Sequence, residues 1–330
     1  MLHCFVVNPV AGRVDIKFCE ELIKKICTLR NVKYEIKISE KAGDIAQLSG
    51  EAAQKGADYI YAIGGDGTLN EAVNGIVSAV SSAEVVDGAT VSMPVLVPVP
   101  CGTGNDFVRA IDSGDVYSKY VKRINSAKKG SDEYKDALCG LIESAVDNCS
   151  NVKLMDMGFA DGRYFINVAS VGFDAEVAYN ACKYKKKRFI PNSLAYYVSV
   201  FTTLIKYRPK FVEIVYDDVC FVNTEVTLVA VANGRFYGGG VMAAPNADLF
   251  DRLFDVLTVD PVKRRQIPSF FPKYAKGKHE KLPIAHFKRC SKVKISCKDG
   301  IALNLDGEIT VTNNVVFNMC DRQIPVGIVK

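Results

Sequence analysis

Two glycine-dense turns, each set directly after an apolar run, constrain this chain more than anything else in its sequence. The first lies in "YIYAIGGDGTLNEAVNGIV" (59–77), where Gly64, Gly65, Asp66 and Gly67 fill four positions ahead of a helix-forming stretch. The second, "CGTGND" at 101–106, follows the run "MPVLVPVP". A strand, then glycines, then a helix is the geometry in which backbone N–H groups surround a phosphate at a helix N-terminus. Glycine belongs there because a Cβ blocks close approach and disfavours positive φ. A single such turn is equally well a tight connection. Two at adjacent strand ends would line one crevice, the place where open α/β sheets bind ligands. An aspartate inside the cradle has two readings: Mg2+ sits between it and a phosphate, or it holds the turn. Neither stretch carries G-x-x-x-x-G-K-[ST] or a full G-x-G-x-x-G, so P-loop and dinucleotide readings are weak.

Around these turns the first third of the chain alternates strands and helices. "LHCFVVNP", "VKYEIKIS", "YIYAIGG" and "MPVLVPVP" read as strands. Residues 15–30 carry Ile16, Cys19, Leu22, Ile23, Ile26 and Cys27 at helical spacing, and "DIAQLSGEAAQKG" reads as a second helix. That order predicts a parallel sheet with helices on both faces. A polar, helical connecting segment (113–150) closes a first domain, 1–150. From 151 the pattern turns to short β-rich runs, among them "RYFINVASVGF", "FVEIVYDD", "EVTLVAVANG", "LFDVLTVD", "KVKISCKD" and "ALNLDGEIT", with a helical stretch near 193–206. A second, largely antiparallel β domain is expected.

Composition removes several classes. With 48% hydrophobic and 24% charged residues, disordered and collagen-like chains are excluded. The net charge of +5 is too mild to argue for nucleic acid, and no aromatic stacking platform accompanies it. Eleven cysteines without C-x-x-C spacing, and only His3, His279 and His286, argue against structural zinc and for a reduced, cytoplasmic protein. No apolar run approaches the length of roughly 18 residues needed to span a bilayer.

The motif set then resembles one family. "NPVAG" (8–12), "GGDGT" (64–68), "GTGND" (102–106), "GFDA" (172–175), "GGG" (238–240) and "LDGE" (305–308) look like the diacylglycerol kinase catalytic family, in its soluble bacterial lipid kinase branch. The resemblance implies a three-layer nucleotide-binding α/β domain and a β-sandwich substrate domain (151–317), with 318–330 returning to the first domain. It implies ATP, Mg2+ and transfer of the γ-phosphoryl group to a lipid hydroxyl. Asn8, Ser39, Gly64, Gly65, Asp66, Gly67, Thr68, Gly102, Thr103, Asn105 and Asp106 fall on the nucleotide-contacting motifs. Ser39 replaces the family's usual Thr, and Asp44-Ile45 its Asp-Ala. Asp306 falls on the general base with Glu308 beside it; on a strand the two would share a face. In "APNADLFDRLFDV" (244–256), the resemblance implies a structural Mg2+ held by the Asp251 side chain and the backbone oxygens of Asp248 and Leu253. Arg252 stands where the family usually has Gly.

A lipid kinase without a span must dock on a membrane. "KYKKKR" (183–188), with Lys185, Lys186, Lys187 and Arg188, is the expected contact with an anionic inner-leaflet surface. A homodimer is plausible by resemblance. Diacylglycerol is the default acceptor, ahead of other lipid alcohols. The competing readings are a soluble-substrate kinase such as NAD kinase, whose family shares GGDGT, and a non-catalytic lipid- or nucleotide-binding regulator.

Overall fold

The computed structural model describes residues 1–12, 14–86, 92–111, 116–185, 202–203 and 207–329. The chain divides into two compact units, Met1–Met155 with Arg322–Lys330, and Asp156–Asp321.

In the first unit the expected alternation forms: β1 (Leu2–Val7), α1 (Ile16–Leu29), β2 (Lys33–Ile38), α2 (Asp44–Gln54), β3 (Tyr59–Gly64), α3 (Asp66–Val86) and β4 (Val95–Pro100). Three helices follow: α4 (Asp106–Ile111), α5 (Val116–Ser126) and α6 (Asp132–Asp147). The sheet is completed by β5 (Val152–Met155) and by β18 (Ile324–Gly327), in the order β2-β1-β3-β4-β18-β5. Strands β1 to β4 pair in parallel. The last strand joins β4 in parallel and β5 antiparallel, so the chain's end returns to the first sheet as expected.

Strand order has a consequence for the site. From β1 the chain steps outward to β2, then crosses back over β1 to β3. Because such crossovers are right-handed, this reversal puts α1 and α2 on opposite faces. Accordingly α2 packs on α3, and α1 packs on α6. The reversal leaves a switch point at the C-terminal ends of β1 and β3, where ligands enter sheets of this kind. The inner strands β1 and β3 are apolar because both faces are covered: Cys4, Phe5, Val6, Ile60, Tyr61 and Ile63 are buried.

The second unit contains short β6 (Gly158–Ala160) and β7 (Arg163–Phe165), then β8 (Val168–Gly172) and α7 (Phe173–Lys185). Next come β9 (Lys210–Tyr216), β10 (Cys220–Val226), β11 (Leu228–Ala232), β12 (Phe236–Tyr237), β13 (Val241–Met242) and β14 (Phe254–Val259). Helix α8 (Ile267–Ala275) precedes β15 (Ala285–Cys290), β16 (Lys292–Leu305) and β17 (Glu308–Met319). The runs "KVKISCKD" and "ALNLDGEIT", separate in the sequence reading, meet in one long strand, β16, with a register shift between Ser296 and Ile301. That irregularity lets β16 serve both layers of the sandwich: Val293–Ser296 pair with β9 and Leu303–Leu305 with β8. The helical stretch expected near 193–206 lies outside the described residues except for Thr202 and Thr203.

Phe165, Phe254 and Phe317 centre the sandwich core, with Phe165 stacked on Phe254 at 5.5 Å. The outer face of β8, β11 and β14 is covered in turn by Phe173 and by Ile267, Phe270 and Tyr274 of α8. Coverage on both faces explains why "LVAVA" and "FDVLTV" do not alternate. Phe254→Ala should cost about 3–5 kcal/mol, whereas Val219→Ala, at an 80% exposed site, should be near neutral. Chemical denaturation followed by circular dichroism measures both.

Candidate active site

The predicted nucleotide residues gather at one edge of the first unit, the C-terminal ends of four parallel strands. Asn8 follows β1, Ser39 follows β2, Gly64 ends β3 with Gly65–Thr68 after it, and Gly102–Asp106 follow β4. Backbone bonds lock this edge: Asn8 N–H donates to Ile63 O (3.0 Å), Ser39 N–H to Val7 O (3.0 Å) and Cys101 N–H to Gly64 O (2.8 Å). Asn8 also donates through Nδ2 to Thr68 Oγ1 at 3.0 Å, tying the first turn to the start of α3.

The close approach of the two turns explains the glycines. A Cβ on Gly102 would lie 2.5 Å from Gly65 Cα, and one on Gly12 would lie 1.8 Å from Cys101 O. Gly67, at the exposed start of α3, faces open space instead. Asn105 holds the second turn from both ends: its Oδ1 accepts from Gly102 N–H (3.2 Å) and its Nδ2 donates to Gly102 O (2.8 Å). Its φ of 53° is left-handed, a conformation Asn tolerates better than most residues.

Asp66 joins the two turns. Its Oδ1 accepts from Phe107 N–H at 3.1 Å, so it caps the helix that follows the other glycine turn. Burial raises its carboxyl pKa, and the backbone N–H groups at residues 105–107 oppose that rise. The bond from Phe107 makes Asp66 a tie between the two turns. Asp44 acts similarly nearby: Oδ2 accepts from Glu40 and Lys41 N–H at 2.9 and 3.0 Å, bonds that lower its pKa.

In the second unit "LDGE" is a two-residue hairpin turn between β16 and β17, with Asp306 and Gly307 at φ 48° and 101°. Asp306 is therefore not on a strand, and the expectation that it shares a face with Glu308 is corrected. Its carboxylate accepts from three consecutive backbone N–H groups: Ile166 at 2.6 Å, Asn167 at 3.1 Å and Val168 at 3.0 Å. Glu308, at the start of β17, is solvent-exposed, with Arg163 Nη1 3.6 Å away.

Beside this turn lies an apolar cavity of about 80 Å3, which the sequence reading did not find. Phe173, Val177, Leu228, Val241, Ile267 and Phe270 are among its walls. One polar chain is set into it: Tyr237 OH donates to Asp174 Oδ2 at 2.7 Å and meets Tyr274 OH at 2.9 Å. Burial raises the pKa of both Asp174 and Tyr237. Asn304 lines the cavity and also accepts Gly307 N–H through Oδ1 at 2.8 Å, linking it to the hairpin. "GFDA" and "GGG" flagged the stretches holding Asp174 and Tyr237; their pairing across 63 residues has no local signal.

In the segment expected to hold a structural Mg2+, Asp255 Oδ2 is buried with no hydrogen-bond partner. Asp251 Oδ1 accepts from Leu253 N–H (3.1 Å), and its Oδ2 is bonded by the Arg289 guanidinium. Asp248 is turned onto Phe250 N–H at 3.1 Å. Among the described residues no group of three or more His, Cys, Asp or Glu side chains is arranged to hold a metal ion. Lys186, Lys187 and Arg188 of the basic run lie outside the described residues, and Lys185 is described only as the end of α7. No described helix is long and apolar enough to cross a membrane.

Paired glycine cradles on a doubly wound sheet, continued in the chain by an antiparallel sandwich, are the parts of a phosphotransferase. Residues 3–134 match the diacylglycerol kinase catalytic domain, and 167–326 match the YegS C-terminal NAD kinase beta sandwich-like domain. The chain is 28% identical over 305 residues to a diacylglycerol kinase of Bacillus subtilis, covering 92% of this chain and 88% of that one. Against a Staphylococcus aureus diacylglycerol kinase the identity is 27% over 323 residues, covering 97% and 90%. The fold is similar to a crystal structure of a putative diacylglycerol kinase from Bacillus anthracis, with TM-score 0.72 and 22% identity over 98% of this chain and 94% of that one. The chain belongs to the diacylglycerol kinase catalytic-domain family, and is a kinase with an alcohol acceptor.

Asp66→Ala removes the acceptor for Phe107 N–H, and should cost about 1–3 kcal/mol in chemical denaturation without ligand. Asp66→Asn retains an oxygen at that point and should cost less.

Proposed function

We propose that this chain is an ATP- and Mg2+-dependent lipid kinase that phosphorylates the hydroxyl of diacylglycerol, giving phosphatidic acid. The observation that carries this reading is the apolar cavity joined through Asn304 to the Asp306–Glu308 hairpin. A wall of Phe, Val, Leu and Ile suits acyl chain and offers little to a dinucleotide such as NAD. Relatives called diacylglycerol kinase, aligned over most of the chain, support the same acceptor.

In this reading the first unit binds the nucleotide. Backbone N–H groups at the exposed start of α3 and the positive end of that helix receive phosphate, with Gly64, Gly65, Gly67 and Gly102 keeping the approach open. Asn8, Ser39, Thr68, Thr103 and Asn105 supply polar contacts, while Asp66 and Asp106 sit at the helix starts that shape the cradle. Mg2+, entering with ATP, supplies positive charge to the phosphate oxygens.

The second unit receives the alcohol. Asp306, with its oxygens committed to three N–H groups, fixes the hairpin that presents Glu308. Glu308 is the accessible carboxylate of the pair and takes the hydroxyl proton as the oxygen attacks phosphorus. Asp174 and Tyr237 orient the polar end of the lipid from within the cavity.

Labelled ATP with Mg2+ should label diacylglycerol in mixed micelles in preference to other lipid alcohols and to NAD. Glu308→Gln should lower kcat by about 10²–10⁴-fold with the fold retained. Label on NAD alone, or an undiminished Glu308→Gln rate, overturns the reading. The basic run at Lys185, Lys186, Lys187 and Arg188 is proposed as the bilayer contact. Neutralising the three lysines should weaken sedimentation with anionic vesicles roughly a hundredfold, at about 1 kcal/mol per charge. Unchanged sedimentation removes that patch from the docking surface.

A further inference from the structure

The basic run at 185–188 lies almost wholly outside the described residues, but a second basic surface is described from end to end. Residues 263–281 hold seven cations and a single acid. Lys263, Arg264 and Arg265 precede α8, Lys273 lies in its last turn, and Lys276, Lys278 and Lys281 follow it. All seven are exposed. None of them forms an ion pair with a described residue. The acid, Glu280, is taken up by Asn246 Nδ2. The segment thus presents positive charge that nothing described in the chain neutralises.

Helix α8 (Ile267–Ala275) sets this charge beside the apolar cavity. Ile267, Phe270 and Tyr274 recur at helical spacing and are buried, and with Phe271 they wall the cavity. Pro268, Ser269, Pro272 and Lys273 fall between them and are exposed. A helix with its side chains is about 10–12 Å across, so one helix separates the cavity from the basic side. The cavity also comes to the surface next to this helix. Gly238 lines the cavity, is exposed, and would have nothing within 4 Å of an added Cβ. The hydroxyl contact of Tyr237 with Tyr274, at 2.9 Å, fastens that rim to α8.

We propose that the outer side of α8, with the cations that flank it, is a docking surface for an anionic bilayer, placed so that a lipid enters the cavity at Gly238. The apolar side of α8 is committed to the cavity, so the attraction is electrostatic. Long Lys and Arg stems let the charges reach phosphate headgroups without moving the helix. Single-stranded nucleic acid also offers phosphates, but it binds through aromatic faces as well, and Phe270 and Tyr274 are turned inward. The inference rests on the lipid-kinase reading for what enters the cavity. Docking is measured without nucleotide or acceptor, so the two readings fail separately.

Sedimentation of the full chain with phosphatidylcholine vesicles, with and without phosphatidylglycerol, tests the proposal. The wild type should bind only the anionic vesicles, and should be released as salt rises. The triple variant Lys273→Gln, Lys276→Gln, Lys278→Gln should bind them about a hundredfold more weakly. The same three positions changed to Arg should keep the affinity. A control, Lys119→Gln, Lys122→Gln, Lys128→Gln, removes equal charge from exposed positions of the first unit and should bind as the wild type does. Melting temperature, and turnover of a short-chain diacylglycerol below its micelle concentration, should be the same in every variant. A wild type that ignores anionic vesicles, an undiminished α8 variant, or an equal loss in the control overturns the proposal. Binding of a single-stranded oligonucleotide in place of vesicles overturns it too. A wild type that docks but leaves the short-chain acceptor unphosphorylated supports the docking surface and counts against the kinase reading alone.

Discussion

The hydrogen bond from Phe107 N–H to the Asp66 carboxylate is the constraint on which the first unit's functional edge depends. It connects a residue at the end of β3 to the helix that follows β4, so neither glycine turn is shaped by its own sequence alone. Without it, the start of α4 would lose a cap, and the two turns would be held mainly by the Cys101–Gly64 backbone bond. Glycine's conformational freedom is costly in an unsupported loop. Here the freedom is removed by Asp66 from one side and by Asn105 from the other. What remains is a rigid edge from which N–H groups project.

The second unit uses the same device in another architecture. Asp306 sits in a two-residue hairpin and gathers three successive N–H groups from the β7–β8 connection. Ile166 and Asn167 lie between β7 and β8, so the carboxylate completes their hydrogen bonding and fixes the hairpin. Asn304 extends the arrangement to the apolar cavity. In both units a carboxylate organises backbone: Asp66 ties the two glycine turns, and Asp306 fixes the hairpin beside which the exposed Glu308 lies.

The acidic segment shows what strand register adds to local sequence. The family pattern implies a metal on Asp251, and Arg252, where the family usually has Gly, is the local departure from it. Arg289 lies 38 residues away and reaches Asp251 only because β15 pairs with β14 in one particular register. A shift of one residue would turn its side chain to the opposite face.

The strand and helix order of the first unit, the two glycine turns and their placement at strand ends were all legible in the residues alone. The reason is local: period, glycine and apolar runs are properties of neighbouring residues. The sequence also carried, through the ordered motif set, the family and the β-rich character of the second unit. Only the tertiary structure decided that Asp66 caps a distant helix, that Asp306 occupies a turn and not a strand, and that Asp174, Tyr237 and Tyr274 line one cavity. It alone merged two β-runs into β16 and set Arg289 against Asp251. Each of these depends on strand pairing or on contacts between residues far apart in the chain. Such contacts are selected by burial and hydrogen-bond satisfaction of the whole unit, which no short window of residues records.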